Sequence, residues 1–382
     1  MKSLLRKIGS FAKVKGGKRL PKGMTVLDDP TEHPYLRVVD FGSDGIDRSN
    51  IKYIDKETFD HVKRYTISDS DIYISIAGTI GRVGIVPDDL SGSNLTENAA
   101  KITNISTDID HRYLMYYLRG PLGQSAIQNR TGGTSQPKLA LYRIANIDFP
   151  FKPLMEQQAI ASILTSYDDM IENNRRRIQI LEQAARLLYK EWFVHLRFPG
   201  HEHTKIIDGV PAGWEKKPLG ALLTLQRGFD LPVSRRKEGC FPIYASTGIN
   251  GYHAEAKVKG PGVVTGRSGS LGTVMFVSGD FWPLNTTLWI KEFKLVGPHY
   301  ANHLLANMKL EQYNGGAAVP TLNRNDVHRV EVLSPPSLLL RMFEDQSHDI
   351  AKQIDALTSM NLKLSEARDL LLPKLMTGEV VV

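Results

Sequence analysis

The chain has 382 residues, with 48 Lys and Arg against 41 Asp and Glu, for a formal net charge of +7. At about 100–200 residues per domain the length predicts two or three domains, and 41% hydrophobic with 23% charged residues excludes disordered, collagen-like and fibrous classes. No apolar run reaches the ~18 residues of a membrane span, and no signal-peptide core follows the basic Lys2, Arg6 and Lys7. The one cysteine, Cys240, permits neither an internal disulfide nor a cysteine zinc cluster, so a cytoplasmic protein without membrane contact is expected.

Positions 1 to 22 carry eight cations and no acid. Within them, Gly17-Lys18-Arg19-Leu20-Pro21 is the first of three segments that return later in the same order, here as Gly228-Phe229-Asp230-Leu231-Pro232. Next, Asp71 to Ile76 alternates with period two, predicting a half-buried strand, and glycines 78, 81 and 84 break it into a turn and a second strand, Val83 to Val86. This glycine segment, Ala77 to Val83, returns as Ser268 to Val274; Gly262-Val263-Val264 leads in and Val274 to Val277 leads out. A short helix is predicted over Asp110 to Leu118 and again over Pro298 to Met308. Gly132-Gly133 with Pro137-Lys138-Leu139 then matches Gly315-Gly316 with Pro320-Thr321-Leu322 at an offset of 183 residues, which holds to the end of a long helix. The shared order predicts a duplicated chain.

Each copy closes with that helix. Ile160, Leu164, Tyr167, Ile171, Asn174, Ile178, Leu181, Ala185, Leu188 and Trp192 are spaced alternately four and three apart. So are Phe343, Ser347, Ile350, Ile354, Leu357, Asn361, Leu364, Arg368, Leu371 and Leu375. This is the seam of a coiled coil, and a seam so narrow needs a partner helix. The other copy packed antiparallel is one partner; another protein is the competing one. Asn174 and Asn361 in the seam cost stability but fix register.

Enzyme signatures are missing from the sequence: no phosphate loop, dinucleotide fingerprint, nucleophile elbow or His-Glu-x-x-His motif occurs. His201-Glu202-His203 in the linker reads as solvated rather than metal-binding. Lys13, Lys15, Lys18, Arg19 and Lys22, and in the second copy Arg227, Arg235, Arg236 and Lys237, stand at matching places and suit phosphate contacts; a solvated basic face is the alternative. Thr79, Arg82, Arg130, Gln136 and Lys138, with Arg267, Ser268, Asn314 and Arg324 in the second copy, are types that read base edges, although the double glycines beside them also suit plain turns.

The chain resembles the specificity subunits of type I restriction-modification systems. The resemblance rests on Ile76-Ala77-Gly78-Thr79-Ile80-Gly81-Arg82-Val83-Gly84, Thr131-Gly132-Gly133-Thr134-Ser135-Gln136-Pro137 and Pro153-Leu154-Met155-Glu156-Gln157-Gln158-Ala159-Ile160-Ala161. Leu188-Tyr189-Lys190-Glu191-Trp192-Phe193, Pro211-Ala212-Gly213-Trp214-Glu215 and the ending Leu371-Leu372-Pro373-Lys374-Leu375-Met376-Thr377-Gly378-Glu379 belong with them. It implies two target-recognition domains joined by two long helices, and no catalysis by this chain. It also implies double-stranded DNA and two methyltransferase subunits as partners, with two ATP-dependent restriction subunits able to join them. S-adenosylmethionine, ATP and Mg would be held by those partners, and no cofactor or metal by this chain.

The expected fold is α+β: two strand-rich α/β target-recognition domains, related by a pseudo-two-fold repeat, on two antiparallel coiled-coil helices. The expected division is 1–153 first recognition domain, 154–197 first helix, 198–336 linker and second recognition domain, 337–376 second helix, and 377–382 tail. Because the two copies differ in sequence, the DNA target should be split and asymmetric, unlike the palindrome of an identical dimer. Two readings compete: a coiled-coil protein scaffold that binds no DNA, and a specificity subunit serving a methyltransferase alone.

Overall fold

The computed structural model describes residues 4–42, 45–132, 137–316 and 319–382. The first half carries strands β1 (Leu4–Lys7), β2 (Lys13–Gly16), β3 (Pro34–Leu36), β4 (Lys52–Tyr53), β5 (Ile72–Ser75), β6 (Val83–Ile85), β7 (Asn94–Leu95), β8 (Ala99–Thr103) and β9 (Asp148–Phe151). Helices α1 (Lys56–Val62), α2 (His111–Arg119), α3 (Pro121–Arg130) and α4 (Leu141–Ala145) lie between them. The strands form sheets in the orders β2-β8-β5-β6, β4-β3-β7 and β1-β9.

After α5 (Leu154–Tyr189) and a short hairpin of β10 (Ile206–Ile207) and β11 (Val210–Pro211), the pattern starts again. It runs β12 (Glu215–Pro218), α6 (Leu219–Leu222), β13 (Leu223–Arg227), β14 (Phe241–Ala245), β15 (Gly248–His253), β16 (Gly262–Gly266), β17 (Val274–Val277), β18 (Trp282–Pro283) and β19 (Thr287–Phe293). α7 (Pro298–Asn307), α8 (Arg324–Arg329), β20 (Glu331–Ser334) and α9 (Ser337–Thr377) complete it. The sheets are β13-β19-β16-β17, β15-β14-β18 and β12-β20, the first-half orders strand for strand. In both halves the small sheet holds one parallel pair, β3 with β7 and β14 with β18, and the other ladders are antiparallel. The internal repeat is therefore a repeat of topology.

The recurring glycines have backbone reasons. A Cβ on Gly17 would sit 2.1 Å from the Thr96 carbonyl oxygen, and one on Gly228 would sit 2.2 Å from that of Leu284. At both places the chain leaving the main sheet passes against backbone, and only glycine fits. Gly78 and Gly81 in the first turn, and Gly269 and Gly272 in the second, all have positive φ, the region that costs other residues strain.

The strand expected to be half-buried is buried on both faces. Ile72 and Ile74 join Ile8, Ile102 and Leu114 in the main core, while Tyr73 stacks on Phe41 at 4.2 Å in a second cluster with Leu36 and Leu95. Alternation here separates two cores rather than core from water. The extra length of the first copy before its glycine turn contains α1, for which the second has no counterpart between β15 and β16. The loops after the double glycines lead into α4 and α8, so a helix intervenes before each last strand, β9 and β20.

Two compact units result: Met1–Asn174 with Ser359–Val382, and Arg175–Thr358. This division falls inside the long helices rather than at their ends. α5 buries Ile160, Ala161 and Leu164 in the first unit's core, whereas Tyr189, Trp192 and Phe193, beyond its midpoint, belong to the second's. α9 does the reverse, giving Leu340 and Phe343 to the second core and Leu372, Leu375 and Met376 to the first. α5 ends at Tyr189 and passes into a π-helical turn, Lys190–Val194, so it stops short of the expected 197. Not one of the twenty seam residues is exposed. Within the first unit the helix segments run antiparallel: Asn174 Nδ2 donates to Asn361 Oδ1 at 2.9 Å and Arg368 Nη1 to Asp168 Oδ1 at 2.5 Å. Among the described residues no helix is long and apolar enough to cross a membrane.

Candidate nucleic-acid interface

In each unit the second and third recurring segments, far apart in sequence, meet through the same hydrogen bonds. Leu139 N donates to Ile76 O at 2.9 Å, and Leu322 N to Arg267 O at 2.8 Å. Gly132 N donates to Lys138 O at 3.1 Å, and Gly315 N to Thr321 O at 2.9 Å. Single bridges join Ala77 to Lys138 and Ser268 to Thr321. Each unit thus presents one loop cluster built from a glycine turn and a double-glycine loop. The first turn is wound around a buried hydroxyl: Ser75 Oγ donates to Thr79 O and accepts from Arg82 N at 2.8 Å. Gln124 Nε2 clamps the same turn through Gly81 O at 2.9 Å. A fixed frame of this kind can aim exposed side chains without spending their hydrogen bonds on the fold.

Thr79, Arg82 and Lys138 are exposed on this cluster, and neither Arg82 nor Lys138 has an ion pair among the described residues. Gln136 lies outside the described residues. Arg130 is half-buried, donating to Asn146 O and pairing with Asp148 at 3.2 Å, so its guanidinium holds α3 to β9. In the second unit Arg324 is exposed at the start of α8. Arg267 and Ser268 are half-buried; Arg267 Nη1 donates to Asn285 O at 3.2 Å, and the backbone N–H groups of both residues donate to Thr286 O. Asn314 uses its side-chain oxygen to accept from Gly316 N and Thr321 N, both at 2.9 Å, which closes the loop.

The phosphate-contact candidates also divide. Lys13 and Lys15 project from β2, an edge strand whose burial alternates, and Lys15 faces Lys101 across the ladder. Lys22 is exposed, Lys18 lies 5.8 Å from the Tyr65 ring centroid, and Arg19 bonds Glu97 at 2.9 Å while staying largely in solvent. Lys15, Arg64, Tyr65 and Lys101 line a cavity of about 240 Å³ in the first unit. Arg64, Tyr65 and Lys101 were not singled out in the sequence, since Arg64 and Tyr65 sit in the stretch without a second copy. Burial pushes the Asp71 carboxyl up, but hydrogen bonds from Lys101, Thr103 and the Ser68 backbone outweigh it and hold the group ionised beside this basic patch. In the second unit Arg235 and Lys237 are exposed, Arg227 lies 3.7 Å from Asp230, and Arg236 donates to Asn250 O at 2.7 Å.

Residues 4–183 match the model of the type I restriction modification DNA specificity domain. The chain is 26% identical over 340 residues to the type I restriction enzyme MjaIX specificity subunit of Methanocaldococcus jannaschii, covering 81% of this chain and 78% of that one. It is 29% identical over 156 residues to the type I restriction enzyme EcoBI specificity subunit of Escherichia coli, covering 39% and 33%. In structure it is similar to the S subunit of a type I restriction-modification system from M. genitalium, with a TM-score of 0.58, 20% identity, and coverage of 97% and 95%. That likeness is one of fold.

Proposed function

We infer that this chain is a type I restriction-modification specificity subunit, that it supplies DNA sequence specificity, and that it reads a split, asymmetric site with one unit on each half. The observation that carries the split is a shared frame with different side chains. The same backbone bonds close both loop clusters, yet Arg82 is matched by Thr273 and Lys138 by Thr321. Equal frames with unequal donors and acceptors read different base edges. Lys13, Lys15 and Lys22 in the first unit, and Arg235 and Lys237 in the second, would grip phosphates and set register.

The chain itself is non-catalytic in this reading. Two methyltransferase subunits, holding S-adenosylmethionine, dock on the long helices, which pair as an antiparallel coiled coil, and methylate adenine N6 after flipping the base from the stack. Docking there is supported by apolar side chains outside the seam: Met155 is 84% exposed, Ile180 64%, Leu362 65% and Leu370 69%. Restriction subunits with ATP and Mg would join the same assembly.

The test is to map N6-methyladenine across the host genome with and without the gene. A two-part motif that loses methylation on deletion is the expected result, and unchanged methylation in a host expressing the protein sinks the reading. Salt dependence separates it from a protein scaffold that binds no DNA. Binding by the complex with its methyltransferase should fall with a log-log slope near −0.9 per phosphate contact, and K13A/K15A should flatten that slope by roughly 2.

A further inference from the structure

The units also differ where the long helices meet α2 or α7. Residue n of α5 corresponds to residue n plus 183 of α9, and α2 and α7 align through their N-caps, Asp110 and Gly297, and their buried Tyr113 and Tyr300. In the first unit the place is filled. Asp168 accepts from Arg368 Nη1 at 2.5 Å, from the Tyr116 hydroxyl at 2.6 Å and from Arg119 Nη1 at 3.3 Å, beside buried Leu164 and Met115. In the second unit the corresponding residues are Ala351 for Asp168, Ala185 for Arg368, His303 for Tyr116, Ser347 for Leu164 and Asn302 for Met115. Four of these exchanges remove heavy atoms and the fifth, Met115 to Asn302, swaps a bulkier side chain for a shorter one; these five residues line a cavity of about 370 Å³.

The walls of that cavity carry buried polar atoms whose hydrogen bonds are unmade. Ser347 is 3% exposed, and its Oγ, like the buried Oδ1 of Asn302, has no hydrogen-bond partner among the described residues. Such orphans in a native fold ask for an explanation. Burial, reinforced by the neighbouring His348, lowers His299 to about 4; burial, with His299 and Arg186 nearby, lowers His303 to about 4. At neutral pH each imidazole therefore keeps a nitrogen that accepts a proton donor. Glu182 and Asp355 set two carboxylates at the lining against the single guanidinium of Arg186, leaving it net negative. Acceptors, a negative lining and space vacated by an arginine fit a group with several N–H donors and no acceptor, which is a guanidinium.

We propose that this cavity receives an arginine side chain from the methyltransferase that docks on the long helices, replacing from outside the guanidinium that Arg368 supplies in the first unit. The proposal rests on the docking reading above. Methylguanidinium is the probe, titrated into the full-length chain with histidine imidazoles observed by NMR. The expected result is saturable shifts of the His299 and His303 signals, with none from acetate or phosphate.

A185R/A351D transplants the first unit's ion pair into the cavity; it should abolish those shifts and weaken methyltransferase binding at least tenfold. N302M, which fills the space with the first unit's own residue, should do the same and guards against misfolding of the double variant. Absent shifts, or shifts produced by the anions instead, overturn the cavity's assignment. Undiminished methyltransferase affinity in both variants overturns the methyltransferase as the source. If the unaltered chain binds no methyltransferase, the docking reading fails and the arginine's source with it, while the probe still reports on the cavity alone. Loss of DNA binding would be seen separately, in its salt dependence.

Discussion

Two units with one topology have opposite interiors at one place: a buried ion cluster in the first, a cavity in the second. The contrast separates what a fold demands from what it tolerates. Positions where the backbone has no alternative, Gly17 and Gly228 at the sheet crossing and Gly78 and Gly269 in the turn, are kept in both. Asp168, Arg368 and Tyr116 satisfy mainly one another, so they are present or absent as a set. A buried ion pair adds little net stability over well-packed apolar groups, which makes such a set dispensable to the fold.

The largest expected effect tests whether the units stand independently. Phe343, fully buried among Trp192, Phe193 and Tyr300, should cost about 3–5 kcal/mol as F343A. Hydrogen exchange should then lose protection in α7 and β16 but not in α2 and β5; equal loss in both would show the units to be one cooperative block. D168A takes the Asp168 carboxylate away from Arg368, 4% exposed, and should cost about 3 kcal/mol by denaturant titration. D168A/R368A, which copies the alanines of the second unit, should recover part of that loss.

Acid should distinguish the units next. His299 and His303 have folded values near 4, below their unfolded values, so they bind more protons when unfolded. Their contribution is complete above about pH 6.5 and is lost as the pH falls toward 4, roughly 2 kcal/mol for the pair after allowance for solvent access. His111 in the first unit is lowered in the same direction by burial, but it stands alone there. Intrinsic-rate-corrected exchange at pH 7 and 5 should therefore weaken α7 more than α2. The smallest effect lies in the seam: Asn174 and Asn361 of the first unit correspond to Leu357 and Ile178 of the second. N174L/N361I should stabilise the first unit by about 1 kcal/mol in thermal melts while removing the polar pair that fixes register.

The helical seams and the glycine segments were legible because periodicity and φ are local demands that sequence writes directly. The meeting of those segments was not, since the Leu139–Ile76 bond joins positions that no short-range pattern connects. Lys101 was hidden because it sits within β8 and gains meaning only opposite Lys15 and Asp71. Arg130 and Asn314 look like readers of DNA by type, yet the structure uses their polar atoms to close loops, a distinction that depends on which backbone groups lie nearby. The splitting of each helix between units was hidden too: a seam of unbroken spacing does not record where its partner core changes.

That splitting decides what a shortened chain can fold. Residues 175–358 form one unit from a single unbroken stretch, whereas the first unit is closed by Leu372, Leu375 and Met376. A chain cut just before residue 372 therefore keeps all the material of the second unit while the first loses its last helical turns. Such released, truncated chains should carry a folded later half and an unfinished earlier one, so that trimming one end of the chain undoes the unit that begins at the other.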